Sequence, residues 1–258
     1  MKPILLIPLI LFVGCHTSQN EAPVQPTSNY QVVTQTTNGR TSLSSIIAIV
    51  VTNPYGGIAV YNPEADSILT WTLNKNVRPP NLSDSTGYLD RISNVLSISN
   101  DTLYVTIVSP VDPAILPIQL TLMIPNSIPC IFKTVRDNLF IVSTSGQFFG
   151  DNLNTISYEQ YQGTSIFSQV TGNVGGKLSF SDSDSCLIEC DNGNILLSID
   201  RTSNCSFDLL SSDSSITYKT LPLSNVNQTQ TTLTGVLGTG KVKVSLVTKH
   251  GSIAISGY

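Results

Sequence analysis

A short unit recurs along most of this chain, and it leaves few folds open. Cys186-Leu-Ile-Glu-Cys-Asp-Asn-Gly-Asn-Ile195 lies over Val244-Ser-Leu-Val-Thr-Lys-His-Gly-Ser-Ile253 when both are aligned on one turn. Residues 207–216 and 130–139 share the frame. Less regular copies run over residues 49–58 and up to Leu178. Each copy is a strand, a polar turn of about four residues, and an aliphatic residue opening the next strand. The anchors Leu139, Ile156, Leu178, Ile195, Ile216 and Ile253 lie 17, 22, 17, 21 and 37 residues apart. The last gap is close to two units, which puts a degenerate copy around residues 232–237. A period near twenty means a solenoid or an array, since propeller blades need about 40 residues.

The apolar segments between these turns are short, β-branched and bounded by Gly, Asn, Asp or Pro. Many alternate with period two, as in Lys241-Val-Lys-Val-Ser-Leu246. No stretch of twelve residues carries a helical period. The expected fold is therefore all-β: a single-stranded parallel β-solenoid of roughly 20-residue coils. One coil cannot bury its inward face alone, but coils stacked about 4.8 Å apart hydrogen-bond each strand to the next. Positions 186, 188 and 190 then face inward with 207 and 209, and with 244 and 246. Four such side chains per coil, at about 1.5–3 kcal/mol each, offset part of the ordering entropy. Gly57, Gly193 and Gly251 are expected to supply turn conformations with positive φ.

The first fourteen residues hold one charge, Lys2, and an apolar run from Ile4 to Val13. That is the layout of a signal peptide, and it falls short of the roughly 20 residues that span a bilayer. Leu11-Phe-Val-Gly-Cys15 resembles the bacterial lipobox, in which the cysteine is lipidated, with Phe12 departing from the usual aliphatic. The expected layout is a lipoprotein signal peptide over 1–14, a flexible tether over 15–44 rich in Gln, Asn, Thr, Ser and Pro, and a solenoid domain over 45–258. Cys15 then carries the membrane anchor, which places the protein in the cell envelope (at the outer membrane in a Gram-negative cell), periplasmic or surface-exposed. Charged residues make up 12% of the chain, with 13 Lys and Arg against 17 Asp and Glu. No basic stripe is present that could neutralise phosphates, so nucleic acid is not an expected partner.

The motifs Cys190-Asp-Asn-Gly-Asn-Ile195 and Thr248-Lys-His-Gly-Ser-Ile253 resemble the recurring "strand, Asn/Thr, x, x-Gly-x-Ile" unit of bacterial "putative adhesin" families. These are the DUF4097-like proteins and the related auto-transporter adhesin head domain. Residues 118–125 and 237–253 add to the likeness, which covers residues 46–258. The turns Arg136-Asp137-Asn138 and Asp213-Ser214 lack the Gly. The resemblance implies one stacked β domain at the envelope and carries over no catalytic residue.

Little in the chain suggests catalysis. His16 and His250 are the two histidines, and no nucleophile elbow, HExxH or phosphate loop is present. Asp182, Asp184, Glu189 and Asp191 put four carboxylates within ten residues, a weak candidate for calcium, which takes six to eight oxygens. A polar loop between coils reads the same way. Cys130, Cys186, Cys190 and Cys205 fall on inward positions and are expected as buried thiols; Cys190 with Cys205 is the one pair that neighbouring coils could bridge. Trp71, Tyr55, Tyr61, Tyr158 and Tyr161 could line a sugar-binding face, or simply pack. The expected function is non-enzymatic: a membrane-anchored envelope lipoprotein, without cofactor, whose repetitive body is a surface for adhesion or scaffolding toward a glycan or an envelope protein. The alternative is a β-helix lyase or hydrolase acting on polysaccharide with calcium held by residues 182–191.

Overall fold

Alternation of buried and exposed side chains persists along most strands, so most segments have one face on a core and one on solvent. Residues 205–211, with every second side chain buried, are an example. The computed structural model describes residues 31–62, 67–142 and 144–258. Its first strands are β1 (Val33–Ser42), β2 (Ala48–Asn53), β3 (Ile58–Tyr61) and β4 (Ile68–Val77), followed by a short helix, α1 (Ser85–Leu89). Then come β5 (Ser93–Ser99), β6 (Thr102–Val108), β7 (Gln119–Met123), β8 (Cys130–Val142), β9 (Ser145–Val170) and β10 (Val174–Ser179). The chain continues through β11 (Ser185–Asn192), β12 (Ile195–Ile199), β13 (Cys205–Ser211) and β14 (Ile216–Lys219). The last four are β15 (Ser224–Gln228), β16 (Thr232–Leu237), β17 (Val242–His250) and β18 (Ile253–Gly257).

Most of these strands form tiers, each a pair of strands joined by a corner turn. The first strands of the tiers make one parallel ladder, in the order β6, β2, β8, two passes of β9, β11, β17 and β13. The second strands make another: β7, β3, the end of β8, the middle of β9, β10, β12, β18 and β14. The two passes of β9 lie side by side, with Thr171 and Gly172 donating to the carbonyls of Leu153 and Asn154. Along the second ladder Leu120, Ile58, Leu139, Ile156, Val174, Ile195, Ile253 and Ile216 stand in register. All are buried. On the first ladder Cys186, Val244 and Phe207 align, as do Ile188, Leu246 and Leu209, in the expected inward frame. These stripes face each other across one core, and each buried side chain contributes about 1.5–3 kcal/mol.

The chain is all-β, yet the sheet is mixed. Among the described residues twelve strand pairings are parallel and five antiparallel. This corrects the expectation of a purely parallel solenoid. At one end β5 pairs antiparallel with β6, and β4 with both β7 and β1; at the other, β16 pairs antiparallel with β13 and β15. Parallel ladders leave open backbone at both ends, and reversed strands cover it on β6, β7 and β13. Residues 232–237 are thus not a degenerate coil but the closing strand β16.

Neighbours in space are also not always neighbours in sequence. β17 lies between β11 and β13, and β2 lies between β6 and β8. The tether expectation needs correction too, because residues 33–42 form β1, which pairs with β4 over ten residues. A glycine explains part of that pairing: Trp71 lies over Gly39, where a Cβ would come within 2.3 Å of the indole. The expected signal peptide and Cys15 lie outside the described residues. The anchor of the β10 tier is Val174, in register with Ile156 and Ile195, whereas Leu178 pairs with Tyr161 and Ile199. Gly57 does not take positive φ, but Gly193 and Gly251 do, at 152° and 146°. There the turns stack so closely that a Cβ on Gly251 would come within 2.1 Å of the Gly193 carbonyl oxygen.

Candidate functional site

The corner turns carry a second ladder, made of polar groups. In the three later tiers a residue at or near the end of the first strand reaches the turn of the next tier. Cys190 Sγ donates to the Gly172 carbonyl at 3.3 Å, Thr248 Oγ1 to Gly193 at 3.1 Å, and Ser211 Oγ to Gly251 at 2.9 Å. Asn53 holds the corresponding place near the other end. Its buried amide donates to the carbonyls of Gly57 and Ile118 at 2.9 and 3.0 Å and accepts from the Tyr55 N–H. Here lies the physical meaning of the Asn/Thr position in the repeat: a short donor reaches the carbonyls of the stacked turns, most of which strand pairing leaves open.

One residue further out stand Gln119, Gly57, Asn138, Thr155, Asn173, Asn194 and Ser252, each just before an anchor of the second ladder. In the later tiers they bond one another. Asn173 Oδ1 accepts from the Asn194 N–H, and Asn194 Oδ1 accepts from both the N–H and the hydroxyl of Ser252, all at 2.9 Å. In the earlier tiers Gln119 and Asn138 flank the side-chain-free Gly57, and their amides bond no side chain among the described residues.

Beside this open stretch lies a groove of about 580 Å³. Pro54, Tyr55, Pro110, Pro113, Ile115 and Pro117 contribute to its apolar wall, with Arg136 and Asp137 also lining it. Two hollows of about 370 Å³ continue it across neighbouring tiers, one lined by Gln119, Asn138, Phe140 and Asn154, the other by Thr134, Asn152 and Thr171. The walls are fastened. Arg91 pairs with Asp112 at 3.3 Å, Asp112 accepts from the Ala114 N–H, Leu116 donates to the Asn76 carbonyl, and Ile118 to that of Tyr55. Beneath the corner, Thr134, Asn152 and Gln169 all take left-handed φ, between 52° and 55°, at the same place in three successive tiers. Neither flanking tier repeats this bulge, so the register shifts on both sides of it. Such a conformation strains a β-branched residue like Thr134, and bulges of this kind re-aim the residues that follow.

The sites expected from sequence fare differently. Asp182 and Asp184 precede β11 and Asp191 lies next to its last residue, so Asp184 and Asp191 stand about 23 Å apart along the strand. Asp182 pairs with Lys241, whose hydrogen bond, with that of Asn204, holds its carboxyl below the usual range. Asp191 pairs with Lys249 at 2.6 Å, Asp184 accepts from the Ser181 N–H, and Glu189 faces solvent. The four carboxylates do not converge, which corrects the calcium expectation.

The four described cysteines are free and buried. Cys190 stands level with Thr248 on β17 and Cys205 with Val242, six residues or about 20 Å apart, with β17 between their strands. A bridge between them is therefore excluded, since bonded Cα atoms lie within about 7 Å. His250, the exposed last residue of β17, has Nδ1 2.9 Å from Asp213, whose carboxyl it holds below the usual range. No serine is hydrogen-bonded to its other nitrogen among the described residues. Tyr158 and Tyr161 stack in the core with Phe148, leaving Tyr55 as the aromatic of the groove. Sequence reading named Tyr55 but missed Arg136, Asn138 and the proline loop as its neighbours. The signal was present in the cluster Pro110, Pro113 and Pro117, which marks a rigid loop without showing where it folds back.

No family model matches the chain, and neither does any curated protein. Several solved structures are similar at low identity. A "putative cell adhesion protein" of Clostridium sporogenes shares 8% identity over 88% of this chain and 100% of its own, with a TM-score of 0.45. A "putative adhesin" of Bacteroides fragilis shares 11% over 87% and 97%, with a TM-score of 0.33. Another, from Parabacteroides merdae, shares 7% over 87% and 96%, with a TM-score of 0.30.

Proposed function

We propose that this chain is a non-enzymatic lipoprotein of the bacterial envelope whose tiered body presents an adhesive or scaffolding surface. The observation that carries the reading is the fastened groove, which lies at a corner of a rigid β stack and is bordered by polar groups without side-chain partners. Strand ladders bury the aliphatic stripes and leave the turns as the part of the molecule that varies, the usual place for recognition. The stacked tiers act as a solenoid-type scaffold closed by reversed strands, in keeping with the adhesin families that the Cys190–Ile195 and Thr248–Ile253 motifs resemble. Cys15 supplies the anchor by lipidation after removal of residues 1–14. No helix among the described residues is long and apolar enough to cross a membrane.

Two measurements test this. Mass spectrometry of the protein from its native envelope, compared with Cys15→Ser, should find an acylated Cys15 and loss of membrane association in the variant; an unmodified Cys15 would refute the anchor. Purified protein should adhere to cells or envelope fractions in a saturable way. Absence of saturable retention on all of these would refute the adhesive role.

A further inference from the structure

We infer that the corner groove binds an uncharged polysaccharide segment of three or four sugars, lying along the stack from Tyr55 toward Asn154. This rests on the adhesive reading above and names its ligand. Four features of the groove point to it.

The apolar wall matches one face of a sugar. A pyranose presents a face of C–H groups, and a tyrosine ring is a suitable surface for it. Tyr55 lines the groove together with prolines that have little conformational freedom to lose, and Asn53 fixes its turn from below.

The polar edge matches hydroxyls. Gln119 and Asn138 each offer an amide donor and an amide acceptor, the pattern that suits groups able to do both. Their spacing is set by the ladder. Tiers advance by about 4.8 Å, comparable with the advance of a glycan by one residue. The same row of turn residues is saturated by its own bonds at Asn173, Asn194 and Ser252, so the vacant stretch coincides with the groove. Gly57, between the two amides, widens the hollow; a Cβ there would lie 2.7 Å from Gln119 Oε1.

The charges argue for a neutral chain. Arg136 and Asp137 are adjacent and of opposite sign, and the third charged lining residue, Asp112, is paired with Arg91, so the groove has no net positive field for a polyanion, and the whole chain carries −4. A guanidinium and a carboxylate side by side serve hydroxyls well as donor and acceptor. Finally, the groove and its two hollows run over about four tiers, or some 15–20 Å, which is the length of three or four sugars.

The test is an array of neutral and acidic oligosaccharides probed with the purified protein. Calorimetry then follows with the best neutral tetramer, a galacturonate tetramer and a proline-rich decapeptide. A neutral tetramer should bind with a submillimolar Kd. Tyr55→Ala and Arg136→Ala should weaken it at least tenfold, with Tyr55→Phe close to wild type. Leu196→Ser, on the outer face of the second ladder, should leave binding unchanged. Arg136 is exposed, so its variant keeps the test sound should Tyr55→Ala unfold. The inference falls if no neutral glycan is retained, if only the acidic tetramer or the peptide binds, or if both groove variants bind like wild type. Retention on cells that survives the groove variants would overturn this inference alone. A groove that binds sugar in a protein that does not adhere would overturn the adhesive reading instead.

Discussion

Asn53 shows how one side chain connects the strand repeat to the groove. It is fully buried, and its amide satisfies two carbonyls while its oxygen holds the Tyr55 N–H. Removing it leaves the Ile118 carbonyl buried without a donor, at about 1–3 kcal/mol, and takes from Gly57 one of two donors, the other being the Leu120 N–H. Asn53→Ala should therefore lower the urea midpoint by about 2 kcal/mol equivalent and loosen the Tyr55 turn, seen as faster amide exchange at residues 54–57. Unchanged exchange there would show that the clamp does not act as described. The buried thiols make a second residue-scale prediction. Burial pushes Cys205 up to about 12, and Cys130 and Cys186 upward as well. In the unfolded chain a thiol ionises near 8.5. Unfolding then releases protons above that pH, so the contribution is whole below about 8.5 and falls as pH rises toward 12. Stability should drop by about 1 kcal/mol per pH unit for each such thiol. Urea midpoints at pH 8 and pH 10.5, with thiol-reagent kinetics, check this; rapid labelling of the native protein would contradict it.

Among the elements, the three stacked bulges are the clearest departure from a uniform coil. Thr134 takes φ of 52°, which Asn tolerates better than a β-branched residue. Thr134→Asn should raise stability by roughly 0.5–1 kcal/mol, measured by chemical denaturation, with the groove unchanged. A loss of stability would mean that the Thr134 side chain contributes more than its backbone costs. Much of the element structure was legible in the sequence because period-two alternation and burial have the same cause. Cys186, Phe207 and Val244 were placed in one frame by pattern, and the ladders put them in register. Pattern does not encode which strand neighbours which, since β11, β13 and β17 have equally apolar inward faces. That is why pattern alone puts Cys190 and Cys205 on neighbouring coils. Direction was equally hidden: residues 232–237 alternate as a coil strand would, and only an exposed ladder edge makes the antiparallel course favourable. β1 was missed because its residues, from Val33 to Ser42, are mostly polar, and its order comes from backbone pairing with β4 and not from burial.

At the scale of the whole molecule, long-range parallel pairing dominates, so folding should be slow and cooperative across the tiers. Native-state hydrogen exchange should be slowest in β8, β9, β10 and β11 and fastest in β1, β5 and β15, which border the stack. Uniform protection from end to end would contradict that gradient. Truncation should be sharply asymmetric. Removing residues 31–42 strips an outer strand and should leave a folded core. Removing residues 238–258 takes away an interior tier, parts β11 from β13, and should abolish near-ultraviolet circular dichroism; a native spectrum would refute the assigned ladder order. The insertion of β17 and β18 also bears on how the protein is made. Strands β13 and β14 emerge earlier, yet their parallel partners are translated later, so in the meantime β13 has only the antiparallel β16 to dock on. A chain delivered N-terminus first must keep that stretch waiting, shielded or transiently misplaced, until the keystone arrives, and this makes the interval a window in which a chaperone or protease can act.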